Sequence, residues 1–169
     1  ILQKPPTLVT SWHFYVESLQ PWESNFLQNI NMTSEWPVLI TDPSLKLIIV
    51  SDDMQKYDHR SFGWVMATAT RILVTNWGVA QGYPMTSYQA EGYGKLSYVR
   101  FLIQYINYFG SPMLCQMLSY CDNKSICTTM FADLTTKYQK SALASDYDLI
   151  NEITTSQDKL AELTGIEIE

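Results

Sequence analysis

Apolar positions along this chain follow two different periods, and the change between them divides it. In residues 1–42, Trp22, Phe26 and Ile30 fall at i, i+4 and i+8. That spacing predicts one apolar face of a short helix over Trp22 to Ile30, with Pro21 in its first turn. Pro5-Pro6 reads as an extended lead-in, while Trp36-Pro37 and Asp42-Pro43 interrupt regular structure. This stretch is expected to be an arm that packs on the main domain or links it to a preceding one. Residues 43–169 are expected to form that domain.

From Leu45 the pattern is that of strands. Leu45 to Ser51 (LKLIIVS) is β-branched and nearly all apolar, so it reads as a central strand buried on both faces, ending at Asp52-Asp53. Met54 to Arg60 is polar and predicts a loop. Phe62 to Ala69 and Ile72 to Ala80 predict two more strands joined tightly at Thr70-Arg71, an antiparallel meander. A helix follows from about Tyr88 to Tyr108, capped by Thr86 or Ser87, with Leu96, Val99, Ile103 and Ile106 at helical spacing. Glu91, Lys95, Tyr98 and Leu102 share a second face of it. Gly92 and Gly94 each weaken a helix, which points to close approach to the sheet. Gly110-Ser111-Pro112 ends it.

Met113 to Cys121 predicts a fourth strand ending before Asp122. Helices are expected over Lys124 to Leu134 and Tyr147 to Leu163, then a final strand at Ile166 to Glu169. The order βββ-α-β-α-α-β predicts an α+β domain, a five-stranded mixed sheet with helices packed on it. Leu47, Ile49, Trp64, Val74, Val99, Leu102, Ile103 and Leu118 are its expected core.

Composition narrows this picture only a little. Of 169 residues, 46% are hydrophobic, enough for a real core, and 17% are charged. A net charge of −6 gives no electrostatic reason to expect a nucleic-acid binder, although carboxylates gathered around divalent cations produce the same balance. No apolar run approaches the roughly 18 residues of a membrane span. The start, Ile1 to Pro6, is not a signal peptide and lacks an initiator Met, so the chain reads as excised from something longer. Without a secretory signal, the triplets Asn31-Met32-Thr33 and Asn123-Lys124-Ser125 are not expected to carry glycans, and an intracellular protein is expected. Cys115, Cys121 and Cys127 form no C-x-x-C pair and are expected to be buried, reduced thiols.

Three acidic residues occupy marked places. Asp52 ends the first strand, Glu91 lies one turn into the long helix, and Asp122 ends the fourth strand. Asp52 and Asp122 also suit a turn or a helix cap, and any one of the three taken alone reads as structural. Together, carboxylates at strand ends and on a helix crossing the same sheet can hold a hard cation such as Mg²⁺.

The stretches VSDDMQKYDHRSFGWVMA, GYPMTSYQAEGYGKLSYVRFL and SYCDNKSI resemble the ribonuclease H-like domain of retrotransposon reverse transcriptases. The run PMTSYQAEGYGKLSYVRFL is the most specific, being similar to the helix with that family's catalytic Glu. LQPWESNFLQNI looks like the segment preceding the domain. The resemblance spans most of residues 20–169. It implies Asp52, Glu91 and Asp122 as catalytic ligands of two Mg²⁺ or Mn²⁺ ions and the RNA strand of an RNA–DNA hybrid as substrate. It also implies a polymerase domain of the same polyprotein as partner. Lys56 and Arg60 in the first loop and Lys124 at a helix start are candidate phosphate contacts. Tyr83, Tyr88 and Tyr93 either line a groove or pack in the core.

Two features depart from the family. Asp52 is followed by Asp53-Met54 where the family has Asp-Gly-Ser or Asp-Gly-Thr, and Asp52 is favoured because Asp53 stands in the place of the Gly. The fourth ligand has no counterpart before Glu169, with Asp146 and Asp148 more suited to helix capping. These departures leave room for a catalytically silent domain of the same fold, acting as spacer or interaction module.

Overall fold

The computed structural model describes residues 8–56, 59–79, 87–110, 113–121 and 147–164. In chain order they form α1 (Leu8–Glu17), α2 (Pro21–Leu27), β1 (Asn31–Met32), α3 (Trp36–Leu39), β2 (Lys46–Lys56), β3 (His59–Ala67), β4 (Ile72–Val79), α4 (Ser87–Phe109), β5 (Gln116–Cys121) and α5 (Tyr147–Thr164). The strands make one mixed sheet of five, in the order β1-β4-β3-β2-β5. Among the described strands only the β2–β5 pair is parallel. The sheet is of the expected mixed class, but its fifth described strand is β1, from the arm. Ile166 to Glu169 and the helix expected over Lys124 to Leu134 lie outside the described residues.

Alternation along the strands separates a covered face from an open one. Leu47, Ile49, Phe62, Trp64, Met66, Val74 and Met117 are buried in one core with Leu96, Val99, Phe101, Leu102 and Ile103 of α4. The arm completes this core with Trp12, Val16, Phe26, Leu27, Trp36 and Ile40. Trp12 alone contacts Tyr15, Phe101, Tyr105, Tyr108 and Phe109 through its ring. Such aromatic clusters bury large areas with few rotors to freeze. Burial pushes the Tyr105 hydroxyl up to about 12 and the Cys115 thiol up to about 11, so both stay neutral near pH 7. Cys115 is the buried thiol expected; Cys127 lies outside the described residues.

The open face corrects two expectations. Val50 is 43% exposed, so β2 is buried on one side rather than both. Leu118, expected in the core, is 39% exposed because it stands opposite Ile48, with the parity of the open face. A third correction concerns the polar run after Asp53. Instead of a loop, Met54 to Lys56 extend β2 and pair with Ser61 to His59 of β3, so Lys56 and Arg60 sit on strands. Backbone pairing needs no apolar alternation, and the run from Asp53 to Arg60 has none, so its strands leave no such mark in the sequence. Finally, α2 stops at Leu27, leaving Ile30 beyond it and Trp22 exposed.

Helix ends follow their local chemistry. Pro21 occupies the first turn of α2, where its missing N–H costs nothing. Gly110 closes α4 at φ +65°, its N–H donating to Ile106 O at 2.8 Å. Before β2, the Asp42 carboxylate accepts from the Ser44 N–H and hydroxyl, which bends the chain at Pro43 and holds the carboxyl below its usual range. Among the described residues no helix is long and apolar enough to cross a membrane.

Candidate active site at the end of the β2–β5 pair

Ser51 immediately precedes Asp52 in β2. It is buried on the α4 side of β2. A methyl group added at Gly94 of α4 would lie 3.7 Å from Ser51 Cβ and 3.4 Å from Phe62 Cβ. Helix and sheet therefore touch at this point, as the glycine content of α4 predicted. Glu91 lies three residues before Gly94, one turn away on the same side of the helix. Across the sheet, Ser51 pairs in parallel with Cys121 of β5. Asp122 follows Cys121 in sequence and itself lies outside the described residues. One buried serine thus neighbours the residue before Asp122, the turn after Glu91, and Asp52.

Asp52 is exposed and pairs with Gly63 of β3, which in turn pairs with Trp77 of β4. With no side chain at Gly63, the row opens into a groove of about 610 Å³ lined by Val50, Asp52, Gly63, Val65, Thr75 and Trp77. Its position on the open face sets Asp52 opposite to α4. Asp52 and the helix that carries Glu91 thus lie on opposite faces of β2. Asp53 stands opposite Phe62 and has the parity of the covered face.

Of the remaining candidates, Lys56 pairs with His59 and Arg60 with Gln55 on the β2–β3 hairpin. Lys124 and Tyr83 lie outside the described residues, while Tyr93 is half-buried and packs against Phe26. The described residues contain no group of three His, Cys, Asp or Glu placed to hold a metal ion. The donor set proposed for an ion consists of hard carboxylate oxygens, which suits Mg²⁺ or Mn²⁺.

The helix facing this edge is held by buried polar contacts that sequence reasoning missed. Ser97 of α4 accepts from Trp64 Nε1 at 2.8 Å and Asn76 Nδ2 at 3.0 Å, and donates to Phe26 O at 2.9 Å. Further along, Glu23 pairs with Arg100 and accepts from Gln104 Nε2 at 2.9 Å on each oxygen. The Arg100 guanidinium also lies 5.5 Å from the centre of the Trp22 ring. The available signal was the set of polar residues at helical spacing on α4: Ser97, Arg100 and Gln104.

No protein-family model matches the chain, and no curated protein matches it either. Solved structures do resemble it. Ribonuclease H1 from the halophilic archaeon Halobacterium salinarum is 12% identical with a TM-score of 0.43, the match covering 73% of this chain and 82% of that one. The N-terminal ribonuclease H domain of a Mycobacterium tuberculosis protein, solved as a maltose-binding-protein fusion, is 18% identical with a TM-score of 0.45. That match covers 75% of this chain and 81% of the other.

Proposed function

We propose that this chain is a ribonuclease H-type domain that hydrolyses the RNA strand of RNA–DNA hybrids, as an intracellular part of a reverse transcriptase polyprotein. The observation that carries the reading is the shared neighbourhood of Ser51. It brings the turn after Glu91 and the strand end before Asp122 to the residue preceding Asp52. The residue runs around those acids, VSDD, YQAEGYGKLSYVRFL and SYCDN, support it through their family resemblance.

Asp52, Glu91 and Asp122 would hold two divalent ions. The chemistry such ions supply when bound is a water activated near neutral pH and stabilisation of the departing 3′-oxygen. The chain's own part is positional. β2 and β5 are locked by backbone pairing, and α4 is pinned to the sheet by Gly94 and the Ser97 hydrogen bonds, so Asp52 and Glu91 belong to rigid elements. Lys56 and Arg60, on a hairpin extending from β2, and Lys124 are proposed to grip the hybrid backbone, with the 2′-hydroxyls marking the RNA strand. With a net charge of −6, binding should be modest and salt-sensitive, and a polymerase domain in the same polyprotein would add grip.

A second reading, a silent domain of the same fold, draws on Asp53 and Met54. They continue the β2 ladder opposite Phe62 and Ser61 where the family has a Gly-Ser or Gly-Thr turn. Incubation with an RNA–DNA hybrid, the matching RNA duplex and the single strands, in Mg²⁺, Mn²⁺ or EDTA, separates the two. The nuclease cuts the RNA of the hybrid alone and only with metal. The silent domain leaves all substrates intact.

A further inference from the structure

A single row of paired residues crosses four strands of the sheet beneath α4. Cys121 of β5 pairs with Ser51 of β2, Ser51 with Trp64 of β3, and Trp64 with Asn76 of β4. The residues that follow Ser51 and Cys121 in sequence are Asp52 and Asp122. α4 meets this row at two successive turns. Gly94 comes against Ser51. Three residues later, the Ser97 hydroxyl accepts from Trp64 Nε1 and Asn76 Nδ2 and donates to Phe26 O. Those three bonds use the whole capacity of a hydroxyl, one donor and two lone pairs. Ser51, Trp64, Asn76 and Ser97 are all buried, so water does not compete for them.

Hydrophobic burial has no direction, and Val99, Leu102 and Ile103 hold α4 against the sheet with little preference for its place along its own axis. Hydrogen bonds weaken steeply when stretched or bent. A slide of α4 by one residue, about 1.5 Å of rise, would spoil all three bonds of Ser97. The other polar anchor of the helix, Arg100 and Gln104 on Glu23, ties it to α2 and not to a strand. Nor is the cluster the best filling for stability alone, since Asn76 Oδ1 is buried with no hydrogen-bond partner among the described residues.

We propose that Ser97 is a positioning residue of the carboxylate site, its hydroxyl fixing where α4 stands along the row that leads to Asp52 and Asp122. The inference rests on the reading of Asp52, Glu91 and Asp122 as metal ligands. Glu91 precedes Ser97 by six residues in one continuous helix, so a displacement of α4 at the row is carried to the Glu91 backbone. Ser97 acts on an ion only through that placement.

The test is Mn²⁺ calorimetry on the full chain, with melting temperature and hybrid cleavage measured beside it. Ser97→Ala should weaken Mn²⁺ binding about tenfold, the scale on which groups that orient metal ligands act. Ser97→Cys fills the space with a poor hydrogen-bonding group and should show the same loss, which keeps the test open if the alanine variant fails to fold. Ser97→Thr retains the hydroxyl and should retain the affinity. Ile153→Val trims a buried side chain of α5, outside the sheet, and should lower the melting temperature with Mn²⁺ affinity unchanged. Affinity in Ser97→Ala and Ser97→Cys no weaker than in Ile153→Val overturns the proposal, and so does a loss in Ser97→Thr as large as in Ser97→Ala. Failure of the nuclease reading has a different signature, Mn²⁺ binding that depends on Ser97 in a chain that cuts no hybrid. A chain that binds no Mn²⁺ overturns both.

Discussion

The two faces of this sheet are built from the same strands and treat their residues in opposite ways. On the covered face, Ile49, Phe62, Trp64 and Val74 are all but fully buried, and even the polar Ser97 and Asn76 are drawn into hydrogen bonds. On the open face, Val50, Trp77, Val79 and Tyr120 are each more than two-fifths exposed among the described residues. One-residue alternation therefore separates positions where shape is dictated by neighbours from positions where it is not. The candidate site sits where the faces meet, with Asp52 belonging to one and α4 to the other.

The largest effect should come from unbalancing the buried charge on the covered side. Arg100→Met strands the Glu23 carboxylate, 5% exposed at its side chain, and should cost about 3–5 kcal/mol in urea unfolding. A loss below about 1 kcal/mol would mean that water reaches Glu23. Next comes Gly78→Ala. Its new methyl would meet the Phe62 ring at 2.6 Å, and Phe62 is held by Phe26 on one side and the Gly94 contact on another. Overpacking of this kind should cost about 1–3 kcal/mol. An unchanged midpoint would show that the ring can swing aside.

A smaller effect of opposite sign is expected at Tyr105, whose buried hydroxyl has no hydrogen-bond partner among the described residues. Tyr105→Phe should leave stability unchanged or raise it by up to about 1 kcal/mol, since no bond is lost and a desolvated polar group is removed. A clear loss would reveal a partner. Least of all should the open face respond. Leu118→Thr is expected to stay within about 0.5 kcal/mol. A core-sized loss there would place Leu118 back under cover and dissolve the contrast between the faces.

Much of this architecture was legible because its signals are local. LKLIIVS marked β2 by β-branching, and Leu96, Val99 and Ile103 marked α4 by spacing. Gly94 announced the close approach that now defines the site. What escaped were long-range facts. Nothing local tells Leu118 which face its strand will show, since parity depends on register with β2. The β2–β3 hairpin hid behind a polar run without apolar alternation. β1 has two residues, too few for any pattern, yet Asn31 and Met32 extend the sheet through β4. As for the site, the end of β5 and the glycine of α4 were readable near Ser51, but the strand expected to end at Asp52 runs on to Lys56, and the opposition between Asp52 and α4 became visible only in the assembled sheet.

The measurement that bears most directly on the account is RNA cleavage of a hybrid in Mn²⁺ by the unmodified chain, Asp52→Asn and Asp53→Asn, with folding of each checked by circular dichroism. Metal-dependent cleavage that falls at least about 100-fold in Asp52→Asn and only a few-fold in Asp53→Asn is the predicted result. Undiminished cleavage by Asp52→Asn, or no metal-dependent cleavage by the unmodified chain, would contradict an active site built around Asp52.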